Sequence, residues 1–399
     1  MEKNWKKNTV LFIAGQALSL FGSMIVQYAI LWHITLETQS GTMMTLFTVV
    51  GFLPMFFISP FGGVWADRFN RKYIINIADG AIAFASLIVA LLIMMGHTHF
   101  IILLVCAAVR SFGQGVQTPA VGAFIPQIVP TEHLTKVNGI HSSIQSMCML
   151  AAPMIAGALM SFAPLEALFF LDVVTASIGI TILFFFVKVP ASEKTEHEEK
   201  KGVDYFHDLR EGLRYIRRHG FALIMIIFSA LFSFFAAPAA LLTPLQVTRN
   251  FGADVWRLTA IEITFSIGMM MGGLTIAAWG GFKNKVHTIA LSCFIFGILA
   301  IGLGLAQNFW LYLGIMAIAG ITMPMINTPA MVILQTTVEK EFMGRVLAVF
   351  SMVGSAVMPA AMLVFGPVAD TININYLLIG SGVVITLICI PLVRLKQQT

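Results

Sequence analysis

Long, uninterrupted apolar runs constrain this chain more than any other feature. Two of them are Ile74–Met95 and Ile289–Ala306, and neither alternates with polar residues as the strands of a membrane barrel do. About 20 apolar residues cross a bilayer as a helix, so a chain of 399 residues has room for roughly a dozen spans. Only 11% of the residues are charged, against about 25% in soluble domains. We therefore expect an all-α integral membrane protein.

We predict twelve membrane-spanning helices with both termini on the cytoplasmic side. The predicted spans are 9–36, 43–66, 73–95, 99–125, 138–162, 166–188, 220–246, 257–281, 286–306, 309–335, 344–368 and 375–393. Short loops rich in Lys and Arg stay in the cytoplasm. With this topology only Arg249 and Arg257 fall in predicted outer loops. The basic start of the chain, Met1–Lys7, precedes a retained first span rather than a cleaved signal peptide.

The chain divides into two predicted halves of six spans each. Residues 1–188 form the first bundle, residues 220–399 form the second, and residues 189–219 form a cytoplasmic linker. Thr118-Pro119-Ala120 in the fourth span matches Thr328-Pro329-Ala330 in the tenth, which indicates an internal repeat. The linker contains a predicted amphipathic helix, because apolar residues alternate with arginines at helical spacing at Phe206, Leu209, Leu213 and Ile216.

The motifs of several other functional classes are missing from the sequence. It has no phosphate-binding loop, HExxH or GxSxG motif, so we expect neither an enzyme nor a cofactor. Gly113-Gln114-Gly115 follows no strand and indicates close helix packing instead. The four cysteines lie singly within apolar runs, which predicts buried packing and no metal site. The net charge of +5 comes from bases at helix ends, which disfavours nucleic acid as a partner.

Charged residues inside spans are rare and are usually functional. Arg110 lies about 16 Å into the fourth span, too deep to reach water easily. Asp172 in the sixth span is its first candidate partner, and a purely structural pairing is the alternative. A carboxylate at low dielectric can exchange protons near neutral pH. The candidates for proton coupling are therefore Arg110, Asp172, Glu262 and Asp79.

For three of the acidic residues we predict ion pairing or contact with solvent. Asp79 lies near the cytoplasmic end of the third span, where we expect it to pair with nearby bases. Glu37 and Asp370 lie at outer helix ends, where we expect solvation.

Polar and aromatic residues of the first, fourth, seventh and tenth spans are candidates for lining a substrate cavity. They are Gln27, Gln114, Gln117, Phe232, Phe235 and Asn327. Phenylalanine and the 23 methionines would form an adaptable apolar surface, although each of these residues also fits ordinary helix packing. The alternative function is an uptake carrier for a small polar metabolite, whose cavity should contain more Asn, Gln, Trp and charge.

One turn carries the strongest family resemblance. Gly63-x3-Asp67-Arg68-x2-Arg71-Lys72 resembles the loop signature between the second and third spans of the major facilitator superfamily. Asn70 stands where that family usually has Gly, so we expect Asn70 to adopt a positive φ. Arg110–Gly115 resembles the arginine motif of the family's fourth span, and Ala151–Gly157 resembles a degraded form of its antiporter motif. Gly280–Lys285 is a reduced echo of the first turn.

Within the superfamily, Gly15-Gln16-Ala17 and Val50–Pro54 resemble the macrolide-efflux group of drug exporters. The resemblance implies two six-helix bundles that export amphipathic small molecules by alternating access, with protons moving the opposite way. It implies a gating motif that meets the start of the eleventh span and consists of Gly63, Asp67, Arg68, Arg71, Lys72 and Arg345. The expected partners are substrate, protons and the lipid bilayer. The expected form is a monomer in a bacterial plasma membrane.

Overall fold

Membrane-spanning helices make up most of this protein. The computed structural model describes residues 5–188, 211, 214–339 and 342–393. Within these ranges twelve helices are long and apolar enough to cross a membrane, and there is no β-strand. The prediction of an all-helical membrane fold with twelve spans is confirmed. The helices, α1 to α12 in order, are Trp5–Thr38, Gly41–Arg68, Arg71–Met94, Phe100–Ile128, Leu134–Phe162, Leu165–Thr181, Gly220–Leu241, Val255–Trp279, Lys285–Leu305, Phe309–Thr337, Met343–Thr371 and Ile374–Val393.

Three short elements accompany the spans. A 3₁₀ turn at Thr131–His133 precedes α5, and a π-helical turn at Ile182–Phe186 extends α6. A nine-residue helix, Thr243–Phe251, follows α7 and is called the short helix below. Its Pro244 stands in the first turn, where the missing backbone N–H of proline costs nothing.

The helices belong to two compact units. The first unit comprises the described parts of Met1–Thr38, Leu46–Glu196 and Asp254–Thr259. The second comprises the described parts of Gln39–Thr45, His197–Ala253 and Ala260–Thr399. Of the predicted amphipathic helix, Phe206, Leu209 and Leu213 lie outside the described residues. The predicted bundle boundaries, 1–188 and 220–399, stay a prediction.

Glycines let the helices of the first unit approach one another closely. A Cβ added at Gly22 would lie 2.0 Å from Oγ1 of Thr175, so α1 packs directly on α6. A Cβ at Gly115 would lie 2.1 Å from a methyl carbon of Ile58, so α2 packs directly on α4. The packing role predicted for Gly113-Gln114-Gly115 is therefore confirmed. The buried apolar residues around these contacts include Phe12, Ile75, Ala120, Phe124 and Leu183.

The second unit uses glycine in the same way. A Cβ at Gly320 would lie 2.3 Å from the carbonyl oxygen of Phe265, so α8 packs directly on α10. Its core includes Phe228, Phe232, Ala290, Cys293, Phe296 and Ile333. All four cysteines of the protein are buried, as predicted, and none of them forms a disulfide. Tyr215 and Ile216, at the end of the linker, are also buried against this unit.

The turn between α2 and α3 corrects one expectation. α2 ends at Arg68 and α3 begins at Arg71, so only two residues lie between the helices. Asn70 has φ −67° and ψ 111°, so the expected positive φ is wrong. Its Oδ1 instead accepts a hydrogen bond from the backbone N–H of Lys72 at 3.0 Å, which caps the start of α3. Asn is suited to this position because it is a good N-cap residue.

Candidate functional site

Arg110 of α4 and Asp172 of α6 form a buried ion pair in the first unit. Their side chains are 1% and 0% exposed. Nη1 of Arg110 donates to Oδ2 of Asp172 and, at 2.6 Å, to Oγ of Ser86. Nη2 donates to the backbone oxygen of Ser23 at 2.8 Å. The contact expected between Arg110 and Asp172 is present, while their role in proton coupling stays a prediction.

Two serines complete the hydrogen bonding of Asp172. Ser23 Oγ donates to Oδ1 at 3.0 Å, and Ser86 Oγ donates to Oδ2 at 2.7 Å. Both carboxylate oxygens therefore have partners within the protein, which is what a stable buried ion pair requires. Ser86 was not among the predicted site residues. It lies two helical turns after Asp79 on the same face of α3, and that spacing was the signal that would have identified it.

Asp79 of α3 has entirely different surroundings. Its carboxylate accepts hydrogen bonds from Gln16 at 3.3 Å, from Ser19 at 3.4 Å and from Gln117 at 2.5 Å. All three donors are neutral, and no basic side chain in the described part of the chain forms an ion pair with Asp79. The expectation that Asp79 pairs with the nearby bases is therefore wrong. A neutral hydrogen-bond shell leaves its charge uncompensated whenever it is ionised.

A polar cavity of about 260 Å³ lies beside Asp79. It is lined by Ser19, Leu20, Ser23, Met24, Gln27, Asp79, Ile82, Gln114, Gln117 and Thr118. The structure thus brings together three of the predicted cavity residues, Gln27, Gln114 and Gln117. Ser19 was missed, although Gln16, Ser19 and Ser23 recur on one face of α1 at helical spacing.

The other predicted cavity residues belong to the second unit. Phe232 is 7% exposed and lies edge to face with Phe296, their ring centroids 5.5 Å apart. The rings of Phe235 and Phe365 are 6.4 Å apart. Asn327 is exposed on α10. The structure shows helix packing for the two phenylalanines, and a role in substrate binding stays a prediction for all three.

Two of the bases in the predicted gating motif bind helix ends. Arg71 donates to the carbonyl oxygens of Ala66 at 2.9 Å and Ala123 at 3.2 Å. Lys72 Nζ donates to the carbonyl oxygen of Val187 at 2.8 Å, just past the π-helical turn. Cations commonly satisfy the free carbonyls at helix C-termini in this way. Arg71 and Lys72 therefore bind the backbone of neighbouring helices, Arg71 at Ala123 within α4 and Lys72 at Val187 after α6.

Of the remaining gating residues, Asp67 and Arg345 form ion pairs within their own units. Asp67 lies 3.6 Å from Arg71, and its side chain is 71% exposed. Arg68 is exposed and has neither an ion pair nor a hydrogen bond within the described ranges. Gly63 lies inside α2. In the second unit, Arg345 forms an ion pair with Glu211 at 2.7 Å. The predicted meeting of this motif with Arg345 stays a prediction.

Glu262 differs from the other candidates for proton coupling because its carboxylate has no partner among the described residues. It lies on α8 and is partly buried. Its carboxylate forms no hydrogen bond or ion pair with any described residue. It therefore lacks the compensation that Asp172 receives.

Asp370, at the end of α11, is exposed as expected, and its carboxylate also has partners within the protein. Its carboxylate accepts hydrogen bonds from the backbone N–H groups of Gly41 at 2.7 Å and Thr42 at 2.9 Å. It also forms an ion pair with Arg249 of the short helix at 3.0 Å. A carboxylate at the start of a helix is stabilised by the free N–H groups and by the helix dipole. Asp370 thus caps the start of α2 within the second unit.

In the part of the chain that the structure describes, twelve helices are long and apolar enough to span a membrane, and charged and polar side chains are buried among them, as in membrane transporters. The chain belongs to the Major Facilitator Superfamily, whose family model matches residues 12–362. It is 30% identical to Macrolide efflux protein A of Streptococcus pyogenes over 98% of this chain and 97% of that protein. It is 28% identical to Macrolide efflux protein A of Enterococcus faecalis over 81% of this chain and 100% of that protein. The resemblance to the superfamily and to its macrolide-efflux group is therefore confirmed.

The fold is also similar to a crystal structure of the nucleoside transporter NupG. The two chains superimpose with a TM-score of 0.72 at 14% identity, over 98% of this chain and 100% of NupG. At this identity the likeness concerns the fold alone.

Proposed function

We propose that the protein exports amphipathic small molecules, macrolide-like drugs among them, in exchange for protons. The observation that carries the proposal is Asp79, a buried carboxylate beside a cavity whose donors among the described residues are all neutral. Such a group is costly while it is ionised and unpaired, so it either takes up a proton or binds a cation. A site that holds a proton or a cationic substrate group, one at a time, couples their movements in opposite directions. The macrolide-efflux relatives support the substrate class.

The cavity beside Asp79 takes only part of such a substrate. Its volume of about 260 Å³ is below the range of about 300–1,000 Å³ that is usual for drug-sized ligands. We assign it to a cationic group of the substrate, held by Asp79 and hydrogen-bonded by Gln114 and Gln117. For the second half, Phe232, Phe235 and Asn327 stay the predicted substrate-cavity residues.

In this mechanism Arg110 and Asp172 act mainly as a rigid support for the site. Their charges compensate each other, and Ser23 and Ser86 satisfy the carboxylate. Protonation of Asp172 would break its ion pair with Arg110. Asp79 is therefore the stronger candidate for the proton carrier. Glu262, which has no partner among the described side chains, is the corresponding candidate in the second half.

The proposed transport cycle uses alternating access. Bundles 1–188 and 220–399, joined by the linker 189–219, rock about a central substrate site in the manner of other transporters with repeated halves. Asp67 and its neighbouring bases latch against the start of α11 near Arg345 on the cytoplasmic side. The protein works as a monomer in a bacterial plasma membrane, with both termini in the cytoplasm.

Transport by purified protein in proteoliposomes tests this function. A macrolide gradient should drive protons in the opposite direction, as read by a pH-sensitive dye inside the vesicles. Asp79→Asn should abolish the proton movement, because the amide neither binds a proton nor carries charge. Glu37→Gln is the matched control, since it removes an exposed carboxylate from α1. If the rate of transport by the wild type is independent of an imposed pH gradient, antiport with protons is refuted. If Asp79→Asn still couples transport to proton movement, Asp79 is not the proton carrier.

One observation favours the alternative of an uptake carrier. The cavity beside Asp79 is lined by glutamine, serine and threonine side chains, which suit a small polar metabolite. Right-side-out membrane vesicles distinguish the two directions. An exporter should lower the accumulated macrolide, whereas an uptake carrier should concentrate a polar solute when the outside is acidified.

A further inference from the structure

An apolar groove runs along α3 in the first unit, starting at the turn between α2 and α3. Its volume is about 500 Å³. Small residues, Ala78, Ala81 and Gly113, leave the space, and the rings of Trp65, Phe69 and Tyr73 border it. From Tyr73 to Ala81 the groove follows α3 for about 12 Å at 1.5 Å per residue. Its length and apolar lining suit a hydrocarbon chain.

The aromatic residues sit at the end of the groove nearest the turn. Phe69, Tyr73 and Trp65 are 65%, 54% and 36% exposed. Tryptophan and tyrosine are enriched where a membrane span meets the lipid headgroups, because one end of the ring is apolar and the other is polar. The groove therefore begins at headgroup level and continues toward the hydrocarbon.

The turn gives the headgroup end a positive charge. It contains three bases, Arg68, Arg71 and Lys72, and one acid. Arg71 and Lys72 are turned to the carbonyl oxygens at helix ends, and the acid lies beside Arg71. Arg68, next to Phe69, is exposed without an ion-pair or hydrogen-bond partner among the described side chains. This charge disfavours a cationic drug as the occupant and favours an anionic group.

We propose that the groove binds an anionic phospholipid, with an acyl chain along α3 and the headgroup phosphate at Arg68. The positive charge of Arg68 supplies the preference for an anionic lipid, since basic pockets between spans bind anionic headgroups. The second unit contains a comparable groove of about 530 Å³ lined by Phe282, His287 and Leu291. It too starts at an asparagine-capped turn, beside the exposed Lys283. The proposal rests on the membrane location and is independent of the transported substrate.

Fluorescence quenching by brominated lipids tests the site. The protein is placed in phosphatidylcholine nanodiscs that contain increasing fractions of brominated phosphatidylglycerol or brominated phosphatidylcholine. The signal of Trp65 is the difference between the wild type and Trp65→Phe. A basic residue near the membrane surface contributes about 1 kcal/mol of attraction to anionic lipid, so we expect an apparent affinity about fivefold higher for phosphatidylglycerol than for phosphatidylcholine.

Four variants separate a binding site from ordinary lipid contact. Arg68→Gln should remove the preference, and Arg68→Lys should keep it because the charge is retained. Arg217→Gln, a matched loss of an exposed arginine in the second unit, should leave it unchanged. Ala81→Leu should reduce quenching of Trp65 by both lipids by filling the groove. Monodisperse elution confirms folding of each variant. Equal quenching by the two lipids in the wild type, or a preference that survives Arg68→Gln, would overturn the proposal.

Discussion

Removing the acid of the buried ion pair is the sharpest test of why Arg110 lies inside the first unit. Asp172→Asn leaves the hydrogen bonds of Arg110 to Ser86 and Ser23 in place but removes the only negative charge paired with it in the described part of the chain. Arg110 is 1% exposed, so water cannot replace that charge. Removal of one partner from a buried ion pair costs about 3–5 kcal/mol of folding free energy. The ratio of folded to unfolded protein should therefore fall by about two to four orders of magnitude.

The double variant Arg110→Met with Asp172→Leu provides the comparison. It replaces both charges by apolar side chains, and such replacements are often neutral or stabilising. Ser23 and Ser86 lose their side-chain partner at Asp172, which costs about 1 kcal/mol for each hydroxyl. We therefore expect the double variant to recover most of the stability that the single variant loses.

Heating followed by size-exclusion chromatography of a fluorescent fusion measures this stability in detergent. The midpoint of Asp172→Asn should lie well below that of the wild type, with the double variant between them and nearer the wild type. A single variant as stable as the wild type would refute the reasoning. So would a double variant as unstable as the single one. Transport by a folded double variant then decides the role of the ion pair. If proton-coupled transport is retained, the pair supports the site structurally, and if it is lost, the pair takes part in proton coupling directly.

Two further predictions concern the turn between α2 and α3. Asn70→Ala should lower the free energy of unfolding by about 1 kcal/mol and Asn70→Gly by only a few tenths, because alanine cannot cap α3 and glycine is tolerated at an N-cap; the same heating assay measures both. Asp67→Asn should abolish efflux in cells while expression and elution stay normal, since its exposed carboxylate is the proposed latch. Undiminished drug efflux by that variant would contradict the gate.

The spans could be predicted because the bilayer dictates both their length and their composition. Their ends were less certain, since an apolar run ends gradually: α2 comprises Gly41–Arg68, whereas 43–66 was predicted. Capping by side chains from distant parts of the chain was beyond prediction. Asp370 and Gly41 are 329 positions apart, and nothing local to either residue indicates their hydrogen bond. The cap role of Asn70 was open to prediction but was obscured by the family's preference for glycine.

The residues of the candidate site could be predicted only where both partners of a contact are charged. Arg110 and Asp172 were recognised as partners because a charged residue in a span is rare and needs compensation. The partners of Asp79 carry no charge, and glutamine and serine in spans are common enough to fit ordinary interhelical hydrogen bonding. Ser19 therefore went unnoticed, and Asp79 was expected to contact a base.

The contrast between the two carboxylates of the first unit indicates where the proposed coupling would take place. Asp172 has its compensating charge within the protein, and both of its oxygens are occupied. Asp79 has no ion-pair partner among the described residues and lies beside a cavity, so in the proposed mechanism the partner that neutralises it comes from outside the protein. A transported cation or proton is such a partner. The ion pair of Arg110 and Asp172 needs no such partner, because its two charges compensate each other. The Arg110 motif therefore marks the framework of the site, and Asp79 is the residue at which its chemistry is expected.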